Sequence, residues 1–478
     1  MIEAYQAVVL LPCAAALALA ALPSYRAGAV GNVLAAAATF AAGLWLLLDR
    51  RTVGNYAIVD EFNVVFVAIN TLVGFTTALF SASYIGHEIE TGRLSPGFLR
   101  FYHAMFQAMM GSMNLALVAN NIGLMWVGLE LATLITVVMV GLYRTPQAIE
   151  AAWKYFILAS VGISLAFFGT ILVYLAGQPV LGEGLPSMTW SLLQAAAVRM
   201  DPALLDLAFI FLLIGYGTKV GLAPLHAWLP DAHAEGPTPI SAVLSGLLLN
   251  VALYALLRFK MVMAGQPAAL DPGPVMVVMG LVSLIFAAFM LYQRRDIKRF
   301  FAYSSIEHMG LMVFAFGMGG PIANFAGLLH MAMHSLTKSS IFFAVGHVAQ
   351  AKGTQRFAEI RGLSVTHPRL SVVFALAVLA IAGLPPFGVF TSEFLILTTT
   401  FARAPWLALL PALGLLVGFG ALLLRLQDTI FGEPIGPAHR VDASSVPIVL
   451  HLLLVLAAGL YLPPVLVSWF QRAAELLG

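Results

Sequence analysis

Apolar runs, each about as long as a bilayer span, recur along nearly all of this 478-residue chain. An α-helix needs about 20 apolar residues to cross a membrane, and only helices and closed barrels can cross, because backbone polar groups in lipid must bond internally. The runs are continuous, which is typical of helices. The sequence therefore predicts an all-α polytopic membrane protein with about 14 transmembrane helices.

No connection between the spans is long enough to hold a soluble domain, and the segment 174–202 is predicted to be a loop. We therefore expect a single membrane domain, 1–478. The predicted spans are 4–22, 27–48, 62–84, 103–119, 122–142, 151–176, 204–222, 240–263, 274–292, 301–318, 322–349, 370–401, 406–430 and 446–469.

Composition excludes several classes of protein. The chain is 61% hydrophobic and only 10% charged, which excludes a soluble globular domain. Its formal net charge of +2, with no basic block, argues against nucleic-acid binding. The single cysteine, Cys13, excludes a disulfide framework and a thiolate metal or cluster site. No Lys or Arg precedes Arg26, so the first apolar run is predicted to be a retained span rather than a signal peptide. We expect no cofactor in this chain.

The distribution of Lys and Arg predicts the orientation. Fifteen of these cations lie at connections after odd-numbered spans and seven at connections after even-numbered spans. By the positive-inside rule the odd connections are cytoplasmic, so both termini are predicted on the far, periplasmic side. The remaining two, Lys219 and Lys338, fall inside spans.

Ionisable residues inside spans are candidates for function because they are costly to insert. Glu130 and Lys219 are two such residues, and a static buried ion pair is the structural alternative for them. Glu393 lies in a later span. His226 follows a proline and could instead cap the carbonyl groups that the proline frees. Five groups able to exchange protons on several spans favour a proton relay.

His330, His334 and Lys338 follow one another at intervals of four residues, which places them on one face of one helix. The histidine pair has the spacing of zinc ligands, but the Glu of an H-E-x-x-H motif is absent and no third ligand is evident. No metal site is predicted. Glu307 and His308 are expected near a span end, in contact with solvent.

Prolines interrupt two spans. Pro224 follows "GLA", and Pro385 and Pro386 follow "GL", so the breaks echo each other. A proline inside a helix removes a backbone donor, and unwound backbone at membrane depth survives only within protein or beside a water-filled cavity. Paired interrupted helices indicate an internally repeated transporter with its site at the breaks.

Several stretches resemble a known family: "KVGLAPLHAWLPDAHAEGPTPISAVLSG" from Lys219, "RRDIKRFFAYSSIEHMG" from Arg294 and "GLPPFGVFTSEF" from Gly383. They are similar to the antiporter-like membrane subunits of respiratory complex I, membrane-bound hydrogenases and multisubunit cation/proton antiporters. Within that superfamily, "SYIGHEIETGRLSP" from Ser83, "NNIGLMWVGLELATL" from Asn120, "EAAWKYFI" from Glu150 and "GLLLNVAL" from Gly246 most resemble hydrogenase-4 component F.

The resemblance implies fourteen helices with two inverted five-helix repeats and interrupted helices 7 and 12. It divides the chain into helices 1–3 (1–102), a first repeat with helices 4–8 (103–263), a second with helices 9–13 (271–431), and helix 14 (446–470). It makes Glu130 and Lys219 the paired carboxylate and lysine of a proton axis, and Glu393 the group that exchanges protons at its far end. His330, His334 and Lys338 link the halves. Asn250 departs from the pattern, because complex I relatives usually carry a lysine there.

The resemblance implies a proton-translocating, non-redox subunit of an energy-converting hydrogenase or related complex in the bacterial cytoplasmic membrane. Its partners would be other membrane subunits and peripheral subunits with iron–sulfur clusters, plus a nickel–iron site where the peripheral module is a working hydrogenase. Two alternatives stay open: a multisubunit Na⁺/H⁺ antiporter without redox coupling, and a structural anchor for a peripheral complex.

Overall fold

A computed structural model describes residues 3–48, 50, 52–94, 99–436, 439 and 444–478. These residues are almost entirely helical. The helices are α1 Ala4–Ala21, α2 Tyr25–Leu46, α3 Val64–Glu90, α4 Leu99–Val118, α5 Ile122–Val140, α6 Pro146–Leu181, α7 Trp190–Ala196, α8 Pro202–Val220, α9 Trp228–Glu235, α10 Thr238–Val243, α11 Leu249–Ala264, α12 Pro272–Leu291, α13 Ile297–Met318, α14 Pro321–Lys352, α15 Leu363–Thr366, α16 Pro368–Ile381, α17 Gly388–Arg403, α18 Pro405–Phe431, α19 Val446–Leu460 and α20 Pro464–Leu476. A π-helical segment, Leu244–Leu248, joins α10 to α11.

Nine helices within the described ranges are long and apolar enough to cross a membrane, or ten if the bent pair α19 and α20 forms one span. The predicted count of about 14 is therefore not confirmed by length and hydropathy. The helices α4, α13 and α14 coincide with predicted spans, but none of them is among the nine. Polar side chains along α13 and α14 lower their hydropathy, and the same side chains form the candidate site.

Both predicted interruptions are confirmed. The first separates α8 from α9, and the second separates α16 from α17. Each break begins at a glycine with a left-handed backbone, Gly221 at φ 82° and Gly383 at φ 66°, and contains a cis peptide bond, Ala223–Pro224 or Pro385–Pro386. Gly has no Cβ and adopts this conformation without strain. The two breaks therefore share one local geometry.

Two regions differ from the prediction. The segment 174–202 is not a loop, because α6 continues to Leu181 and is followed by α7. The apolar pattern ends early because Gly and Pro are frequent there, yet Trp190 is buried and its indole nitrogen donates a hydrogen bond to the Arg258 carbonyl at 2.8 Å. A short hairpin, β1 Thr52–Val53 with β2 Ala57–Ile58, was not predicted.

Connections of the same parity contact one another. On the side of the odd-numbered connections, Asp296 forms a backbone bridge with Arg356, and Arg361 forms one with Ile435. On the opposite side, Arg472 pairs with Glu61 at 3.0 Å. These contacts agree with the alternation of sides used in counting the cations. Arg51 and Arg440, which entered that count, lie outside the described residues.

The centre of the fold contains the polar helix α14 and the apolar segment Thr238–Ala264. The segment Thr238–Ala264 is buried throughout its apolar window, and nearly all of α14 is buried. In the outer helices α1, α2 and α18, more than half of the residues in the apolar window are not fully buried. Exposed apolar surface is suited to lipid, whereas polar groups at membrane depth require protein around them. The hydrophobic pattern thus places the polar helices inside.

A buried arginine fastens the central helix α11 to the connection between α2 and α3. The Arg258 guanidinium donates to both Asp60 carboxylate oxygens, at 2.7 and 2.9 Å, and lies 4.2 Å from the ring centre of Trp190. A bidentate guanidinium pair fixes direction as well as distance, which a lysine cannot reproduce. Arg258 therefore holds the fold at the end of α11.

We expect Arg258→Lys to lower the free energy of unfolding by about 1–3 kcal/mol, because the ammonium loses one of two charged hydrogen bonds and the stacking. The apparent melting temperature of the purified complex measures this. Arg472→Lys is the matched control: Arg472 is 45% exposed in its pair with Glu61, so its effect should stay within about 0.5 kcal/mol. Equal effects of the two substitutions would contradict this role of Arg258.

Candidate functional site

Lys219 occupies the last turn of α8, directly before the first break, and is completely buried. Its ammonium group donates a hydrogen bond to the Thr133 hydroxyl of α5. The same ammonium lies 5.7 Å from the ring centre of Tyr155, which stacks on Trp228 with ring centres 4.3 Å apart. Lys219 is therefore held by one hydroxyl and an aromatic face. Sequence reasoning missed Thr133, although its position three residues after Glu130 places it on the same helix face.

Glu130 is half-buried on α5, within electrostatic range of Lys219. No ion pair joins their charged groups in the described part of the chain, and one Glu130 carboxylate oxygen is buried without a hydrogen-bond partner there. The static ion pair considered from the sequence is thus absent from this arrangement. The hydroxyl of Thr133 takes the place that the carboxylate would occupy beside the ammonium.

His226 lies within the first break, between α8 and α9, and is buried. Its ring meets the rings of Phe286 at 4.9 Å and Tyr303 at 6.0 Å between centres. Its Nδ1 has no hydrogen-bond partner among the described residues, so this atom caps no carbonyl group of the break. The structure places His226 against Phe286 of α12 and Tyr303 of α13.

The residues of the second half form a connected group that we call the histidine row: Lys338, His334, His308, His330 and Glu393. His308 is its centre. Its Nδ1 lies 3.0 Å from His330 Nε2 and 3.8 Å from Glu393 Oε1, and its ring lies 5.8 Å from that of His334. His330, His334 and Lys338 are all completely buried on α14, as one face of that helix.

His308 and Glu307 were expected near a span end, and that expectation is wrong. Asp296 caps α13 by accepting a hydrogen bond from the Arg299 amide, so the helix begins at Ile297 and carries both residues in its buried middle. The basic residues around Arg299 suggested a later start. Asp296, directly before the helix, is the sequence signal for a helix start at Ile297.

Hydrogen-bond partners assign the protons in the row. The Ser392 hydroxyl donates to the Val389 carbonyl at 2.8 Å, so it accepts from His330 Nδ1 at 2.8 Å. In the neutral form of His330, Nε2 is then unprotonated and can accept a hydrogen bond from His308 Nδ1. One N–H of His308 therefore faces two acceptors, His330 and the carboxylate of Glu393. This arrangement can pass a proton in either direction.

Lys338 marks the other end of the row. Its ammonium donates to the Phe301 carbonyl at 3.2 Å and lies within electrostatic range of Glu307, whose Oε2 has no hydrogen-bond partner among the described residues. The carboxylates of Glu307 and Glu393 each pack against a glycine. A Cβ at Gly418 would overlap the Glu307 carboxylate, and one at Gly383 would overlap that of Glu393. The second break thus brings the backbone directly against Glu393.

Instead of passing a proton, three residues of the histidine row could bind a metal ion. One ligand atom each from His308, His330 and Glu393 lies within 4.8 Å of the others. The sequence offered the pair His330 and His334 and no third ligand, whereas the structure brings together a different trio. Nitrogen and carboxylate ligands suit zinc, and the Ser392 hydroxyl would orient His330 from the outer shell. The 3.0 Å separation of the two histidine nitrogens is also that of a hydrogen bond, which needs no metal.

Asn250 of α11 connects the two halves. Its amide nitrogen donates to the Met331 carbonyl at 3.0 Å and the Ser335 hydroxyl at 2.8 Å, both on α14. Nearby, Ser245 of the π-helical segment and Ser305 of α13 place their hydroxyl oxygens 2.6 Å apart. Ser305 also donates to the Phe301 carbonyl, the acceptor that Lys338 uses. The hydroxyl pair of Ser245 and Ser305 therefore approaches Lys338 of the histidine row, near the Asn250 amide.

Comparison with known proteins gives consistent matches. Residues 119–418 match the family model described as NADH:quinone oxidoreductase/Mrp antiporter, TM. The chain is 57% identical over 471 residues to the hydrogenase-4 component F homolog of Methylacidiphilum infernorum, covering 98% of this chain and 99% of that relative.

Two solved structures share the fold. A chain of the membrane-bound sulfane sulfur reductase, an archaeal respiratory membrane complex, superposes with a TM-score of 0.88 at 20% identity, covering 99% of this chain and 97% of the other. A chain of the Mrp complex from Dietzia sp. superposes with a TM-score of 0.84 at 18% identity, with the same coverages of 99% and 97%.

Thr133→Val removes the hydroxyl that receives the Lys219 ammonium, while keeping the side-chain volume. We expect the free energy of unfolding to fall by about 1–3 kcal/mol, because a buried charged donor loses its partner. Thr400→Val is the matched control, since among the described residues the hydroxyl of this buried residue bonds only to the Ile396 carbonyl of its own helix. Thermal unfolding of the two variants tests this, and a Thr133 variant as stable as the Thr400 variant would contradict it.

Proposed function

Because the chain belongs to the NADH:quinone oxidoreductase/Mrp antiporter membrane family, it is an antiporter-like, proton-translocating membrane subunit, and we propose that it serves an energy-converting hydrogenase or a related redox complex. The near full-length similarity to a hydrogenase-4 component F homolog supports that type of complex. Electron transfer in partner subunits would supply the energy. The proposed location is the cytoplasmic membrane, with both termini on the periplasmic side, as the cation count indicates.

The observation that carries the proposal is the histidine row. Buried ionisable groups in a membrane protein are costly, and the row places five of them in sequence within protein. Lys338 approaches one end, Glu393 forms the other, and the N–H of His308 lies between two acceptors. A structural pair would need two charges, whereas a proton path needs a series of groups that can both accept and release a proton.

We propose that Lys219 drives the path through a change of ion pairing. A carboxylate close to a buried ammonium favours the charged form, and its removal leaves desolvation to favour the neutral amine. In the present arrangement Glu130 is not paired and Thr133 is the partner of the ammonium. Movement of Glu130 toward or away from Lys219 would therefore capture or release one proton at the Lys219 nitrogen.

The rival function is Na⁺/H⁺ exchange without redox coupling. The fold shared with a chain of an Mrp complex is the observation that favours it, because that fold does not separate the two functions. The partners distinguish them: the redox proposal requires peripheral subunits with iron–sulfur clusters, and the rival requires membrane subunits only. The remaining alternative, a structural anchor for a peripheral complex, would give the buried charges no role.

Lys219→Ala should abolish proton translocation while the complex still assembles, because no other group takes up a proton at this position. Proton movement in sealed inverted vesicles is measured twice, with electron donors and with a sodium gradient. The control is Lys154→Ala, at an ammonium that is 49% exposed and pairs with Glu150. Loss of only the donor-driven signal supports the redox proposal, and loss of only the sodium-driven signal supports the rival. Normal movement in both assays would contradict both.

His308→Gln and Glu393→Gln should each lower the translocation rate by about tenfold or more, because each removes a proton-exchanging group. The double variant should be no slower than the slower single variant, since both act on one transfer step. His103→Gln is the control: His103 is buried, its ring nitrogens have no partners among the described residues, and it lies on α4. Multiplicative losses in the double variant would place the two residues on separate steps.

A further inference from the structure

Glu88 is a buried carboxylate that the proposed path does not use. It lies near the end of α3, in the stretch that begins at Ser83, of which residues 95 and 96 lie outside the described residues. Its side chain is 0% exposed. The Tyr143 hydroxyl donates to Oε2 at 3.0 Å, and the Gln350 amide donates to Oε1 at 2.9 Å. Arg93 is 3.8 Å away. Three elements therefore converge on one carboxylate.

A cavity of about 420 Å³ lies above this carboxylate, on the side of the odd-numbered connections. Glu88, Tyr143 and Glu235 line it, and exposed Arg93 and Gly353 lie at its rim. A cavity lined by polar groups and of this size holds several water molecules. Glu88 is thus a titratable group at the floor of an aqueous opening, although its own side chain is shielded from bulk solvent.

Hydroxyl groups continue inward from Glu88. The Tyr143 hydroxyl lies 3.5 Å from that of Tyr84, and the Thr238 hydroxyl donates to Tyr84 at 3.0 Å. Thr238 is the first residue of α10, and its side chain packs against Gly346 of α14. Each hydroxyl can both donate and accept, so a proton can be passed along this series by exchanging donor and acceptor roles.

His233 lies at the inner end of this route. It is completely buried on α9, it stacks on Phe342 of α14 at 4.8 Å, and neither ring nitrogen has a partner among the described residues. Lys338, Phe342 and Gly346 follow one another at intervals of four along one face of α14, so His233 and Thr238 pack beside the two turns that follow Lys338. The ammonium of Lys298 donates to the Ala234 carbonyl at 3.3 Å and to the Gly236 carbonyl at 2.7 Å, at the end of α9 and directly after it.

We propose that Glu88 takes up protons from the odd-numbered side and passes them through this hydroxyl series and His233 to Lys338. The inference rests on the proposed function, because it assumes that Lys338 carries protons. It deepens that function by giving the second half a supply that does not cross Asn250, whose amide cannot take up a proton. In each step one O–H or N–H bond breaks as another forms, and no further reactant is needed.

Glu88→Gln in the intact complex tests this in the same vesicle assay. We expect the initial rate of proton translocation to fall by about tenfold or more, with assembly unchanged, because the amide cannot release a proton. Glu88→Asp, which keeps a titratable group, should recover part of the rate. Glu90→Gln is the matched control: it removes the same charge two residues further along α3, at an exposed position, and should leave the rate unchanged.

The outcome for Lys219→Ala separates failure of this inference from failure of the proposed function. If Lys219→Ala abolishes translocation and Glu88→Gln does not slow it, Glu88 is not the uptake group. If neither variant changes translocation, the proposed function fails and the inference falls with it. Should Glu88→Gln prevent assembly, Tyr143→Phe removes one donor without changing charge and should slow translocation about fivefold. An unchanged rate in an assembled Tyr143→Phe complex would overturn the hydroxyl route.

Discussion

The cost of holding charge away from water is the constraint on which this fold depends. A charged residue at the centre of a lone transmembrane helix costs about 2.5–3.5 kcal/mol on insertion scales. In the described part of the chain, the helices α13 and α14 carry eight of the seventeen buried Glu, His, Lys and Arg residues, whereas α1, α2 and α18 are apolar and mostly unburied. The helices are therefore arranged by polarity, and the histidine row exists because protein rather than lipid surrounds it.

Features with a local cause could be predicted from the sequence. The two breaks lie at Pro224 and at the Pro385–Pro386 pair, where a glycine precedes the proline by two or three residues, whereas Pro411 lies within the continuous helix α18. The shared face of His330, His334 and Lys338 follows from helical periodicity alone. Lys219 and Glu393 stand out because their neighbours in the sequence are apolar. Each of these inferences needed only one segment of the chain.

Features that depend on contacts between distant segments could not be predicted from the sequence. Thr133 resembles any other buried helical threonine until α8 brings Lys219 beside it. His308 looked like a residue at a span end because basic residues precede it, and only its packing against α14 shows that it joins His330 to Glu393. The helix α7 lies in a stretch rich in Gly and Pro, and the burial of Trp190 explains why it forms.

Asn250 changes how the two halves are joined. A lysine at this position could carry a proton between them, but the amide is fixed by donating to the Met331 carbonyl and the Ser335 hydroxyl. The contact between α11 and α14 is therefore a mechanical link. The exchangeable protons beside it belong to the hydroxyl pair of Ser245 and Ser305, within a π-helical segment of a kind that often occurs at functional sites. Ser305 and Lys338 donate to the same carbonyl, that of Phe301. The hydroxyl pair therefore approaches the histidine row at Lys338, where the row begins.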